Sequence, residues 1–288
     1  MKLLSIQVAL LSCLAQIACA QKGDIYLIVR ADDIGFAHSV NRACIDSYSQ
    51  GIARTVEVMV NTPWFPEAVR MLNQHPGYDV GLHLTLTSEW ENIKWRPLTS
   101  APGLCDDDGY FHPFIWRNQV PGATFLTESE WTIDEVEAEF RAQIELARRH
   151  LPHISHLSGH MGCTHADPRI TEVYKKLAAE YRLDIDPSDY GVQRAPGFGG
   201  SQTSPEEKVE NFIAMLHALR PGIWLFVDHP GYDTEELRGV GHVGYENVAA
   251  DREGVTRAFT DERVRAAIQE KGIKLISYRD LLQMKKTN

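Results

Sequence analysis

Cysteine is scarce in this chain, and no two cysteines form a CxxC pair. Five occur in 288 residues: Cys13 and Cys19 within the first twenty, and Cys44, Cys105 and Cys163 far apart beyond them. Three scattered thiols exclude a disulfide framework, and each is expected as a small buried hydrophobe. Cys163 stands near the candidate site described below, but a better ligand set there argues against its holding a metal. Basic residues are also in deficit, 29 against 39 acidic ones, for a net charge of -10. That balance repels phosphate backbones and anionic lipid surfaces, which excludes a general nucleic-acid binder. Past residue 20 no apolar run could span a bilayer, and no internal repeat or low-complexity tract is visible.

The one long apolar stretch is N-terminal. Lys2 precedes a mostly apolar run over 3–17, and Ala18-Cys19-Ala20 fits a small-x-small cleavage site. Residues 1–20 therefore read as a signal peptide cleaved before Gln21, and the protein is expected to be secreted or periplasmic. A lipid anchor is the weaker reading: Gln16 sits three before Cys19, and Cys13 would leave a very short signal. Residues 21–288 then form one domain. Hydrophobic residues make up 43% of the chain, enough for a sizeable core, and α/β barrels of about 200–250 residues fold as single units.

The pattern along the chain is strand, loop, helix, repeated. Residues 25–31 are a continuous apolar run ending in Asp32-Asp33, as a buried parallel strand would. Further strands are expected at 55–60, 79–87, 154–158, 223–227 and 273–277, with a short one at 183–186. Helices are expected at 40–48, 63–73, 132–147, 167–181, from 204 onward, at 261–270 and at 278–284. Two carry capping boxes, Thr132 with Glu135 and Ser204 with Glu207. Residues 88–130 are an irregular insertion rich in Pro, Gly, Trp and Asp, and a loop that long is usually functional. Alternation of about seven strands with helices predicts a parallel sheet with right-handed crossovers, either open and doubly wound or closed into an irregular barrel. Both place ligands at the C-terminal strand ends.

Acids and imidazoles stand at those ends. The first strand ends in Asp32-Asp33, the third carries His83, the fourth is followed by His160, and a later one ends in Asp228-His229. Each has an ordinary structural use: a turn, a satisfied core histidine, a member of a surface histidine run. Those uses do not explain why all fall at one edge of the sheet. One carboxylate and two neutral imidazoles make a divalent-metal site with positions open for water and substrate. The second aspartate would be free as a general base, and His229 is a candidate acid for a leaving group. Adjacent carboxylates do not flank a glycosidic bond at the separations glycosidases need.

Ala31-Asp32-Asp33-Ile34-Gly35, then Asn41, then Gly81-Leu82-His83-Leu84-Thr85-Leu86-Thr87, then His156-Leu157 before His160, then His229-Pro230-Gly231-Tyr232 resemble the YdjC-like carbohydrate deacetylases. The stretch 273–281 is similar too, so the resemblance runs through nearly all of the chain after residue 20. It implies an irregular (β/α) barrel related to polysaccharide deacetylases. It also implies hydrolysis of an N-acetyl group on an amino sugar, and it leaves a homodimer open. It makes Asp33, His83 and His160 the ligands of a divalent metal, magnesium or zinc, with Asp32 the base and His229 the acid. The two imidazoles favour zinc, because magnesium prefers oxygen. The chain departs from the pattern where the family has Asp-Ser ahead of the second histidine ligand; here Ser158-Gly159 stands. The loop Met161-Gly162-Cys163-Thr164-His165 is altered as well. Two other functions fit the same sequence: a hydrolase of a different ester or amide, and a secreted glycan binder using Trp90, Trp95 and Trp116 as stacking faces.

Overall fold

The computed structural model describes residues 23–285, so the expected signal segment at 1–20 lies outside the described residues. Seven strands are present among them: β1 (Ile25–Ile34), β2 (Thr55–Val58), β3 (Val80–Leu84), β4 (His156–Gly159), β5 (Gln193–Arg194), β6 (Gly222–Asp228) and β7 (Lys274–Leu275). All pair in parallel, in the order β4-β3-β2-β1-β6-β5. The short β7 pairs with Tyr26 and Leu27 of β1, below the stretch from Arg30 onward that β2 occupies. The sheet curls into a half-barrel whose two edges, β4 and β5, do not pair. This is the irregular barrel that the resemblance implied, where strand–helix alternation alone left an open doubly wound sheet equally possible.

The helices are α1 (His38–Ser49), α2 (Phe65–Asn73), α3 (Ile133–His150), α4 (Pro168–Tyr181), α5 (Pro205–Ala218), α6 (Glu235–Arg238), α7 (Val248–Thr260), α8 (Glu262–Lys271) and α9 (Tyr278–Lys285). Both capping boxes form, Thr132 with Glu135 on α3 and Ser204 with Glu207 on α5. Asp167 caps α4 ahead of Pro168, and Asp261 caps α8. None of the described helices is long and apolar enough to cross a membrane.

One expectation fails, and one helix was not foreseen. The strand at 183–186 does not form. Asp186 instead accepts from Ser188 N at 2.8 Å and opens a 3-10 turn over Pro187–Tyr190, and Pro187 has no N–H for a sheet ladder. The edge strand lies later, at Gln193–Arg194. Helix α7 carries no sign of itself in sequence. Asn247 makes no capping bond with its side chain, and the buried face mixes Val248, Val255 and Phe259 with Arg252, Gly254 and Thr256.

Period-two alternation sorts the strand residues. Val56, Val58, Leu82, Leu84 and Leu157 join the large core under the helices. Glu57, Gly81, His83, His156 and Ser158 alternate with them and are polar or small. A second, smaller cluster of Ile28, Ile185, Leu225, Tyr278 and Leu281 fills the space between β1, β6 and α9. Gly81 is what lets the polar group close up. A Cβ there would lie within 2.5 Å of His156 Nε2 and collide with the Glu57 carboxylate. We therefore expect Gly81→Ala to destabilise the fold by roughly 1–3 kcal/mol through overpacking, measured by urea unfolding. Wild-type stability in that variant would show that the polar group is loosely packed.

Candidate metal centre

The centre is built on a break in β1. Pairing with β2 slips between Ala31 and Ile34, and Asp33 adopts a positive φ of 72°. Aspartate tolerates this left-handed conformation better than most residues. Asn41 on α1 supports the turn: its Oδ1 accepts from Gly35 N at 2.6 Å, and its Nδ2 donates to Trp64 O and Glu67.

Strand alternation alone would point Asp32 and Asp33 to opposite sides. The turn brings both carboxylates to one place. His83 Nε2 lies 3.8 Å from Asp32 Oδ2 and 3.7 Å from Asp33 Oδ1, and His160 Nδ1 lies 3.3 Å from Asp33 Oδ1. One ligand-type atom from each of Asp33, His83 and His160 falls within 4.8 Å of the others, and all three side chains are buried. Asp33 Oδ1 and His160 Nδ1 face each other yet have no hydrogen-bond partner. Two orphaned buried atoms cost free energy unless something satisfies both, and a divalent cation would.

Each member of the set is held from behind. His83 Nδ1 meets Ser158 Oγ at 2.7 Å. Ser158 in turn donates to Glu57, which also bonds His156 Nε2 at 2.7 Å. His156 is fixed by Ser155 and lies flat against Tyr278, with ring centroids 3.7 Å apart. A hydroxyl has one proton, and Ser158 gives its proton to the carboxylate. Its oxygen must then accept from His83 Nδ1–H, which leaves the His83 Nε2 lone pair free toward Asp33. Glu57 thus supports His83 through Ser158, at the position where the chain departs from the Asp-Ser pattern.

His160 Nε2 bonds Glu89 Oε2 at 3.0 Å. Glu89 comes from the insertion, which is pinned by other buried polar groups: Gln143 clamps Thr85 N and O, and Glu139 accepts from Leu98 N and Thr99 N. Arg30 grips Asp32 with two bonds, Nε to Oδ1 at 2.7 Å and Nη2 to Oδ2 at 2.8 Å. Arg252 on α7 donates to Asp33 Oδ2 at 2.7 Å from a buried position.

These charges set the protonation of the metal-free chain. Burial pushes the Asp33 carboxyl up, but Arg252 and then His229 outweigh it and hold Asp33 well below the ordinary range. Burial lowers His83 to about 4, so it is a neutral ligand. Burial also opposes charge on His160, but Glu89 and Asp33 overcome it and raise His160 to about 10. For Glu57 burial again works upward, and His156 and Arg30 bring it below the ordinary value.

His229 stands at the end of β6 with its side chain 41% exposed, its Nδ1 3.4 Å from Asp228 Oδ1. Burial lowers its basicity, while the Asp33 charge and the Asp228 bond raise it, for a net shift upward. Cys163 is buried with its thiol on Leu84 O, and burial pushes its pKa up to about 12, so it stays a protonated packing residue as expected. Cys44, Cys105 and Cys163 are all free. Of the three tryptophans in the insertion, Trp90 and Trp95 are buried and only Trp116 is open.

The profile of the YdjC-like protein family matches residues 26–270. The chain belongs to the YdjC-like family. A Listeria monocytogenes serotype 4a (strain HCC23) relative named carbohydrate deacetylase is 28% identical over 262 residues, covering 88% of this chain and 99% of its own. A Thermoanaerobacter pseudethanolicus (strain ATCC 33223 / 39E) relative of the same name is 27% identical over 264 residues, covering 88% and 98%. A crystal structure from Enterococcus faecalis V583, provisionally named a cellobiose-phosphate cleavage protein, aligns with a TM-score of 0.71 at 23% identity, over 90% of this chain and 99% of that one. That structural likeness shows the fold.

The structure brings together Asp32, Asp33, His83 and His160 as the sequence led us to expect, with His229 half-open beside them. Sequence reading missed Arg30, Glu57, Glu89 and Arg252. Charges at 30 and 57 inside otherwise apolar strands were the available signal for two of them; Glu89 and Arg252 offered none. Two outcomes follow. Because His160 holds its proton at neutral pH in the metal-free chain, an entering cation must displace it. Calorimetric zinc titrations near pH 7 in buffers of different ionisation enthalpy should show about one proton released per site, and affinity should rise with pH below about 10. Zero release would mean His160 is neutral beforehand. Ser158→Ala should weaken metal binding by about 10–100-fold while leaving the fold intact. Unchanged affinity would remove Ser158 from the site.

Proposed function

We propose that this chain is a metal-dependent hydrolase that removes N-acetyl groups from amino-sugar glycans. The observation that carries the reading is the pair of orphaned buried atoms, Asp33 Oδ1 and His160 Nδ1, facing each other at 3.3 Å beside a neutral His83. Membership of the YdjC-like family and relatives named carbohydrate deacetylase support it. Asp33, His83 and His160 would hold the cation. One carboxylate and two imidazoles would suit zinc by donor type, since magnesium prefers oxygen. When bound, the ion supplies Lewis acidity to the acetamide carbonyl and to an attacking water.

The remaining chemistry belongs to this chain's side chains. Asp32 takes the proton from the water that attacks the acetyl carbon. Its carboxylate has lone pairs beyond those engaged by Arg30, and the two-point grip fixes its orientation. His229 gives a proton to the departing amine. Its raised pKa favours the protonated form, and its exposure leaves it open to a substrate approaching from solvent. The bond between acetyl carbon and nitrogen breaks, water adds across it, and acetate and a free amino sugar leave. His83 and Asp33 stay in place because Ser158 and Arg252 hold them.

The test is acetate release from N-acetylated oligosaccharides by metal-stripped protein resupplied with zinc or magnesium. We expect metal-dependent release, and loss of at least about 100-fold in kcat for Asp32→Asn with metal content unchanged. Full activity in that variant would sink the base assignment. Release from acetyl esters but from no N-acetyl sugar would transfer the reading to a different scissile bond.

A further inference from the structure

The two oxygens of Asp33 have opposite surroundings. Oδ1 is buried without a hydrogen-bond partner, 3.3 Å from His160 Nδ1 and 3.7 Å from His83 Nε2. Oδ2 accepts from Arg252 Nη2 at 2.7 Å. Asp32, one residue earlier, is held in another way: Arg30 spans both of its oxygens. Distance to His83 does not separate the two acids, since His83 Nε2 is 3.8 Å from Asp32 and 3.7 Å from Asp33. The direction from which each arginine approaches does.

Arg252 is placed for this contact rather than for tying the fold together. A guanidinium carries five N–H donors. The Arg252 side chain is only 4% exposed, yet its Nε and Nη1 find no partner. Among the described residues it bonds Asp33 alone. Two unpaired donors at that depth cost free energy, so bonds to the fold do not explain the burial of this group.

Packing enforces its position. The guanidinium carbon lies 5.3 Å from the Phe36 ring centroid and 5.7 Å from that of Trp90, so the planar group rests against two aromatic faces. Gly231 makes room for its stem: a Cβ there would stand 3.0 Å from Arg252 Cβ and 3.4 Å from Cδ. Gly231 N also donates to Arg252 O at 3.2 Å. Next to Arg252 on α7, Asp251 bonds Lys208 of α5 and Tyr245, which ties the helix to its neighbours.

A carboxylate can take a divalent cation through one oxygen or through both. Taking it through both would occupy a coordination position that a hydrolytic site leaves open for water and a carbonyl. We propose that Arg252 is a positioning residue that caps Asp33 Oδ2, so that the centre takes its cation through Oδ1 alone and keeps a further position open to ligands from solvent. This role rests on the reading of Asp33, His83 and His160 as metal ligands, and it deepens that reading.

The experiment reads the binding mode of Asp33 from infrared difference spectra, recorded before and after zinc is added to protein isotopically labelled at its aspartate carboxyl carbons. A carboxylate bound through one oxygen shows a wide separation between its antisymmetric and symmetric stretches, and one bound through both shows a narrow separation. Wild type should show the wide separation. Arg252→Met removes both cap and charge, and Arg252→Lys keeps the charge on an arm too short to cap; each should give the narrow separation. Cobalt-loaded protein supplies a second reading. Acetate, titrated in and followed by visible absorption, should bind each variant about tenfold more weakly than wild type, because a position it uses is taken. Arg252→Lys leaves the buried Asp33 charge compensated, so the test stands even where Arg252→Met does not fold. A wide separation in Arg252→Lys with unchanged acetate affinity would overturn the cap and leave the metal centre intact, as would a narrow separation in the wild type. No zinc bound by the wild type would remove the metal centre and the cap with it.

Discussion

Alternation along a strand sends consecutive side chains to opposite faces, and a pair of aspartates at a strand end should diverge. The left-handed turn at Asp33 removes that constraint, and every other part of the centre is arranged around the result. Once both carboxylates point to one place, two negative charges must share a buried volume with two imidazoles. Arg30 answers Asp32 and Arg252 answers Asp33. Arg30 could not be exchanged for lysine without loss, because its grip on Asp32 uses two nitrogens of one planar group. The turn itself costs backbone strain of the order of 1–3 kcal/mol, offset by the Asn41 brace on Gly35 and by the ion pairs it creates.

Interior polarity follows from the same geometry. The face shared by β2, β3 and β4 would ordinarily be an apolar barrel core. Here it carries Glu57, His83, His156 and Ser158, paired with one another except at His83 Nε2, which is left toward Asp33, with Gly81 giving them room. Such a network has value only when every member is satisfied, since one unpaired group at low dielectric costs more than an apolar replacement. Its return is orientation: the His83 tautomer is dictated by a chain in which His83 donates to Ser158 on β4 and Ser158 donates to the Glu57 carboxylate on β2. At the second position before His160, where the chain departs from the family pattern, it carries the Ser158 hydroxyl, which is bonded to the Glu57 carboxylate of β2.

The legible part of this molecule was the part governed by local rules. Capping boxes at Thr132 and Ser204 located two helices to the residue, and the apolar run before Asp32 located the central strand. The candidate ligands were legible because a parallel sheet gathers its strand ends, so Asp33, His83 and His160 converge whatever their separation in sequence. Arg252 and Glu89 were not, because nothing local marks them. The first sits on a helix with neither a capping side chain nor a clean apolar stripe, and the second in a loop whose path is set by Gln143 and Glu139 on α3. The strand expected at 183–186 failed for a local reason that could have been read, namely Asp186 ahead of Pro187 as a turn opener.

Each buried acid of the centre bonds a basic side chain: Asp32 bonds Arg30, Asp33 bonds Arg252, Glu89 bonds His160, and Glu57 bonds His156. Three of these partners are committed by packing. His160 differs in that its unpaired second nitrogen faces another acid, Asp33 Oδ1, at 3.3 Å, whereas the unpaired Nε and Nη1 of Arg252 belong to a group already bonded to Asp33. Its charge can therefore leave without stranding a donor, provided a cation takes its place between the same two atoms. The proton on His160 thus keeps the metal-free chain balanced in charge, and the insertion that delivers Glu89 helps set how tightly that proton is held. In the metal centre proposed above, occupancy would depend on pH through His160, and His160 is held by the loop that also carries Trp116.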